Sequence, residues 1–91
     1  MTKVLSLGGS IVAPDVPDAA FVKAFALTAR RWLDADAARR LIVVVGGGGP
    51  ARAWQKAYRD AADAPDADAQ DWIGIMATRL NAQLVRSLFL D

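Results

Sequence analysis

Apolar positions along the chain follow two spacings. Val4, Leu5 and Leu7 form a short run closed by Gly8 and Gly9. Leu41 to Val45 reads LIVVV, a leucine followed by β-branched residues, with no polar face. Short apolar runs bounded by turn residues predict strands buried on both faces, as in a parallel sheet covered by helices. Between them, Phe21, Val22, Phe25, Ala29, Trp32 and Leu33 recur at helical spacing, with Lys23, Arg30 and Arg31 off that stripe. A helix is predicted there, running to about Asp36. Asp18 is placed to cap it, since its carboxylate can accept from free N–H groups of the first turn. Ile11 to Pro17, punctuated by Pro14 and Pro17, is predicted to be loop.

After Gly46–Gly49, Pro50 fits the first position of a second helix, where its missing N–H costs nothing. That helix carries Ala51, Trp54, Ala57, Tyr58 and Ala61. Residues 62–70, ADAPDADAQ, are an acidic, turn-rich stretch without periodicity and are predicted to be loop. A last helix is predicted from Asp71 to Leu90. Its Trp72, Ile73, Ile75, Met76, Leu80, Leu84, Val85, Leu88, Phe89 and Leu90 cover more than one face. Such a helix requires burial on two sides, so a second chain or further sequence is expected against it. The order strand, helix, strand, helix, loop, helix predicts an α/β fold. It has a parallel-sheet βαβ core with helices on both faces and a right-handed crossover, in a single domain over residues 1–91.

Composition narrows the chemistry. The 91 residues contain no cysteine and no histidine. That excludes disulfides, a Cys or His zinc site, a thiol nucleophile and a Ser-His-Asp triad. Eleven Lys and Arg face ten acids, a net charge of +1, which gives no nucleic-acid footprint. No apolar run reaches the roughly 20 residues that span a bilayer, and the N-terminus lacks a signal-peptide pattern. A soluble, cytoplasmic protein without membrane or nucleic-acid partners is expected.

The two glycine loops are the candidate chemistry. Gly8-Gly9-Ser10 and Gly46-Gly47-Gly48-Gly49 each follow a predicted parallel strand, so both lie at the carboxyl edge of the sheet, where α/β folds bind ligands. Glycine lets backbone N–H groups approach an anion, and the second loop feeds a helix N-terminus. Arg52, near the start of that helix, is placed to pair with a phosphate. The alternative is a tight turn. It accounts more readily for Gly8-Gly9 than for four successive glycines, because a turn needs only one or two. No Walker-type GxxxxGK[ST] is present, and a GxGxxA reading of Gly46, Gly48 and Ala51 falls after the wrong strand. Asp71, at the start of the predicted last helix, suits a helix N-cap.

KVLSLGGS, VVVGGGGPAR and DWIGIMATRLNAQLV, in this order, resemble the N-terminal part of the amino-acid kinase (carbamate kinase-like) fold. The resemblance is to archaeal-type UMP kinases, whose D-x-IGI-x-x-TR-x-NA pattern is matched by Asp71, Ile73-Gly74-Ile75, Thr78-Arg79 and Asn81-Ala82. It covers the whole chain but less than half of the family's usual length, so it implies a truncated member of that fold.

The resemblance implies transfer of a phosphoryl group from ATP to UMP with Mg²⁺, giving UDP and ADP. By position, it places Gly8, Gly9, Ser10, Gly48 and Arg52 at ATP phosphates. Gly47 lies against UMP, and Asp71 at the UMP ribose hydroxyls. Ser6 stands where many relatives of the fold carry a lysine, and the segments that complete the nucleotide site lie beyond this sequence. The resemblance therefore implies a chain inactive alone. No metal ligand is identified in it. Arg79 and Asn81 are expected to be structural or at a subunit contact, and the last helix is expected to mediate homo-oligomer formation. Two further readings remain: a non-catalytic self-associating module of the same fold, and a kinase of this fold with another acceptor, such as isopentenyl phosphate or acetylglutamate.

Overall fold

The computed structural model describes residues 1–90. Strands β1 (Thr2–Leu7) and β2 (Arg40–Val45) pair in parallel, with Thr2 opposite Arg40 and Leu7 opposite Val45. The ladder continues one residue further, since the Gly46 N–H donates to the Leu7 carbonyl at 3.1 Å. Between the strands lie α1 (Gly9–Val12) and α2 (Ala19–Asp34); after them come α3 (Gly48–Ala61) and α4 (Ala67–Ser87). The α/β class and the parallel βαβ core are as the sequence predicts.

Alternation divides the sheet into two unlike faces. Leu7, Val43 and Val45 face the core, where Val12, Val22, Val45 and Val85 are buried and Phe21, Phe25, Leu84, Leu88 and Phe89 pack around them. Each fully buried valine contributes about 1.5–3 kcal/mol. Val4, Ile42 and Val44, on the other face, remain 65%, 54% and 54% exposed. The strands are thus covered on one face. The LIVVV run was expected to be buried on both, but a strand that meets helices on one side has the same composition as one awaiting a second cover.

Local chemistry sets the helix ends. Asp18 caps α2 as expected, its carboxylate accepting from the Phe21 N–H at 3.0 Å. The helix stops at Asp34 rather than Asp36, because Asp36 instead accepts the Ala38 N–H at 2.9 Å in the turn leading to β2. Ile11 and Val12, expected in a loop, belong to the single turn α1, which drives Val12 into the core. The Gly8 carbonyl closes that turn by accepting from the Ile11 N–H at 3.0 Å and the Val12 N–H at 3.2 Å. Pro50 is the third residue of α3, not the first; the first turn still tolerates its missing N–H.

The last helix starts earlier than predicted. Asp66 is its N-cap, accepting from the Ala69 N–H at 2.9 Å, and alanine-rich residues 67–70 extend it. Asp71 therefore lies inside α4 and is not a cap.

Helices α3 and α4 form an antiparallel hairpin. The Tyr58 hydroxyl accepts from the Asp66 N–H at its tip, Gln55 Nε2 donates to the Gln70 carbonyl along its length, and Asn81 meets Gly46 and Gly47 at its base. The hairpin is an arm: the molecule measures 54 × 24 × 20 Å, with a radius of gyration of 15.6 Å. A compact domain of this length would have about 12 Å.

Candidate functional site

The glycine loops meet backbone to backbone. A β-carbon on Gly9 would fall 2.7 Å from both the Gly46 carbonyl carbon and the Gly47 nitrogen, and one on Gly46 would fall 2.7 Å from the Gly9 nitrogen. Only residues without side chains allow the two strand ends to approach this closely. Gly8 has no such constraint, since its nearest neighbour would be the Ile11 side chain at 3.7 Å.

The second loop has the geometry of an anion cradle. Gly47 is right-handed helical (φ −82°, ψ −34°), whereas Gly48 has φ +62°. This alternation turns successive N–H groups toward one side. The start of α3 has no side-chain cap. One of its N–H groups, that of Gly49, is taken by the Ala13 carbonyl at 2.9 Å, which ties α1 to the head of α3.

Below the loop, an open cleft of about 780 Å³ is lined by Gly47, Gly48 and Arg52 at the α3 end and by Asp71, Gly74, Thr78 and Arg79 on α4. Four residues singled out in the sequence (Gly47, Gly48, Arg52 and Asp71) thus share one cavity. Gly9 touches the second loop from the other side, while Gly8 and Ser10 stand next to it in α1 and outside the cleft lining. Ser6 lies on β1 opposite Val44, exposed on the open sheet face.

Arg79 was expected to be structural or at a subunit contact; instead it adds a second guanidinium to the cleft. Its signal was present in the sequence, because Asp71, Ile75 and Arg79 recur every four residues, as do Gly74 and Thr78, and so share one helix face. Gly74 gives room to Gln55: a β-carbon there would fall 3.2 Å from the Gln55 amide carbon. Asn81 is structural, as expected. It is 3% exposed, and its Nδ2 donates to the Gly46 and Gly47 carbonyls at 3.0 and 2.9 Å.

Two cationic side chains, a glycine-rich helix start and one carboxylate suit a phosphorylated ligand carrying hydroxyl groups. They do not suit a divalent ion held by protein. Among the described residues no three carboxylates converge, and Asp71 is the only acid lining the cleft.

A parallel βαβ unit with glycine loops at its strand ends defines an α/β domain of the kind whose ligand crevice lies at the carboxyl ends of the strands. Residues 1–91 match the sequence model of the amino acid kinase family, and the chain belongs to that family. It is 41% identical over 85 residues to a uridylate kinase of Thermoplasma acidophilum, covering 93% of this chain and 34% of that protein. It is 46% identical over 86 residues to one of Methanospirillum hungatei, covering 92% and 33%. For one of Methanosarcina mazei the identity is 44% over 89 residues, covering 96% and 35%. The chain spans about a third of the length of these curated relatives. Among the described residues, no helix is long and apolar enough to cross a membrane.

Proposed function

We propose that this chain forms the acceptor side of a UMP kinase, with residues 1–91 acting as one domain. In that reaction a UMP phosphate oxygen attacks the γ-phosphorus of ATP, the bond to the β–γ bridging oxygen breaks, and UDP and ADP form. Catalysis of this kind is mainly positioning and charge neutralisation. The N–H groups of Gly9, Ser10 and Gly48, with Arg52, meet ATP phosphates, and Gly8 shapes the turn that presents them. Gly47 lies against UMP, and the Asp71 carboxylate accepts from its ribose hydroxyls. Mg²⁺ arriving with ATP would neutralise phosphate charge, and no residue of this chain is assigned to hold it. A cytoplasmic setting accords with soluble nucleotide substrates.

The observation that carries this reading is the convergence of Gly47, Gly48, Arg52 and Asp71 on one cleft. The identity to uridylate kinases supports it and favours UMP over other acceptors. Ser6 supplies no cation, and the cleft lining contains no lysine. Binding without turnover is therefore expected of residues 1–91 alone. Calorimetry with UMP and with ATP tests the proposal. UMP should bind saturably, and Asp71→Ala should weaken UMP more than phosphate. An absence of UMP binding would overturn it.

A second reading concerns association. On the other side of the α3–α4 seam, Pro50, Trp54, Trp72, Met76 and Leu80 line an apolar groove of about 400 Å³. Leu80 is 71% exposed, and both tryptophans are open to solvent. A contiguous apolar surface of this kind marks an interaction site, and we propose that it mediates homo-oligomer formation through α4. Light scattering should show mass rising with concentration, and Leu80→Lys should return it to the monomer value.

A further inference from the structure

Arg79 is the one cation of the cleft that the proposed reaction leaves without a task. The cleft holds two guanidiniums, Arg52 on α3 and Arg79 on α4, and one carboxylate, Asp71. The fold makes no use of the Arg79 charge. Its neighbours three and four positions away along α4 are Ile75, Met76, Ala82 and Gln83, so no ion pair forms within the helix. The residue is exposed, and among the described residues no ion pair or hydrogen bond ties its side chain down. Other polar side chains of the cleft are engaged. The Thr78 hydroxyl donates to the Gly74 carbonyl at 3.0 Å, and Gln55 Nε2 donates to the Gln70 carbonyl at 3.2 Å.

The hairpin also gives the cleft a direction. At its base, a β-carbon on Gly47 would fall 2.9 Å from the Thr78 hydroxyl oxygen, which puts the turn carrying Thr78 and Arg79 against the second glycine loop. Farther out, Gln55 reaches Gln70, the residue before Asp71. Asp71 and Arg79 are separated by about 12 Å of helix. Side chains on a helix lean toward its N-terminus, so the long side chain at position 79 extends toward the turn of Asp71 and shortens that gap. A carboxylate at the outer end and a guanidinium at the inner end match a sugar phosphate, with its hydroxyls outward and its phosphate toward the loop.

An acceptor phosphate needs such a group. A phosphate monoester carries about two negative charges at neutral pH, and in the proposed reaction one of its oxygens approaches the phosphates of ATP. With Arg52 on the ATP side, the repulsion between the two substrates has no counter-charge from this chain at the acceptor unless a second cation stands there.

We propose that Arg79 binds the phosphate of the acceptor, pairing its guanidinium with two phosphoryl oxygens, and so makes the cleft select a nucleoside monophosphate over the nucleoside. This rests on the reading of the cleft as a UMP site.

UMP, uridine and ATP are titrated by calorimetry into the wild-type chain, Arg79→Gln and Arg52→Ala. Arg79→Gln should bind UMP about tenfold more weakly, as expected for losing a charge-assisted pair, while uridine and ATP affinities change less than twofold. Arg52→Ala should show the reverse, losing ATP and keeping UMP. Glutamine is a good helix former and the position is exposed, so the thermal melt of Arg79→Gln should match that of wild type. Phosphorus NMR adds a readout that packing does not move. The second ionisation of bound UMP should lie below that of free UMP in wild type, because a guanidinium favours the dianion, and should rise toward the free value in Arg79→Gln. Unchanged UMP affinity in Arg79→Gln would overturn the proposal and leave the acceptor reading standing. Equal losses of UMP and uridine, or a loss of ATP instead of UMP, would overturn it too. An absence of UMP binding by the wild-type chain would overturn both.

Discussion

The first glycine loop opens a helix of four residues; the second opens one of fourteen. Both follow parallel strands, and both were candidates for the same anion. Yet Gly8 and Ser10 stand outside the cleft while Gly47 and Gly48 line it. Gly9 is glycine because another backbone occupies the place of its side chain, and Gly48 meets the same crowding from the Gly9 and Ala13 carbonyl oxygens while also having a positive φ. Close packing thus calls for glycine in both loops, and conformation adds to it at Gly48. A count of glycines separates neither from a simple turn.

This contrast can be broken by substitution, and the largest effect belongs to Gly9→Ala. Its β-carbon meets rigid backbone, so a loss of about 2–3 kcal/mol is expected, or a fall in Tm of roughly 10–20 °C. A thermal melt no lower than that of Gly8→Ala would show that the loops do not touch.

Arg52→Ala should reverse the pattern. Tm should hold within a few degrees, because the residue is exposed. Calorimetric affinity for ATP should fall about tenfold or more, as expected for a charge-assisted hydrogen bond. Unchanged affinity would remove the second loop from the binding site.

Gly8→Ala is the control within the first loop. Gly8 has φ −57° and ψ 136°, which alanine adopts without strain, and its neighbourhood is open. Its stability should stay within about 0.5 kcal/mol of wild type by the same melt.

The smallest effect is expected at the far end of α3. There Lys56 donates a hydrogen bond to Asp60 and adds a favourable charge, holding the Asp60 carboxyl below its ordinary value of 3.8. The folded state thus binds that proton more weakly than the unfolded state. The contribution is present above pH 3.8 and fades as pH falls through the lowered value. Since Asp60 is fully exposed, Asp60→Asn should shift Tm at pH 7 by an amount near the detection limit and leave nucleotide affinity unchanged.

Much of the fold was legible where one residue type has one physical use. Asp18 ahead of an amphipathic stripe is a cap and proved to be one, and LIVVV is a strand. Gly47, Gly48 and Arg52 could be grouped because strand ends and helix starts share an edge, whereas Asp71, inside α4, joined them only through the family resemblance. The misses have local causes. A four-residue turn such as α1 has no period to detect. The first turn of α4 is built from alanine and aspartate, so its helical preference left no apolar stripe to read. The exposure of Val4, Ile42 and Val44 depends on what lies outside the strand, which its own residues do not encode. Arg79 needed the face of α4 to be known before its direction had meaning.

The α3–α4 hairpin carries the polar cleft on one side of its seam and the apolar groove on the other, with consecutive residues, Asp71 and Trp72, divided between them. The two equilibria proposed above, ligand binding and association, would therefore share one pair of helices. If a ligand in the cleft tightens association at the groove by some factor, association must tighten that ligand by the same factor. A binding isotherm recorded at one protein concentration would then report a mixture of the two processes. The slope of apparent affinity against protein concentration would measure their coupling directly.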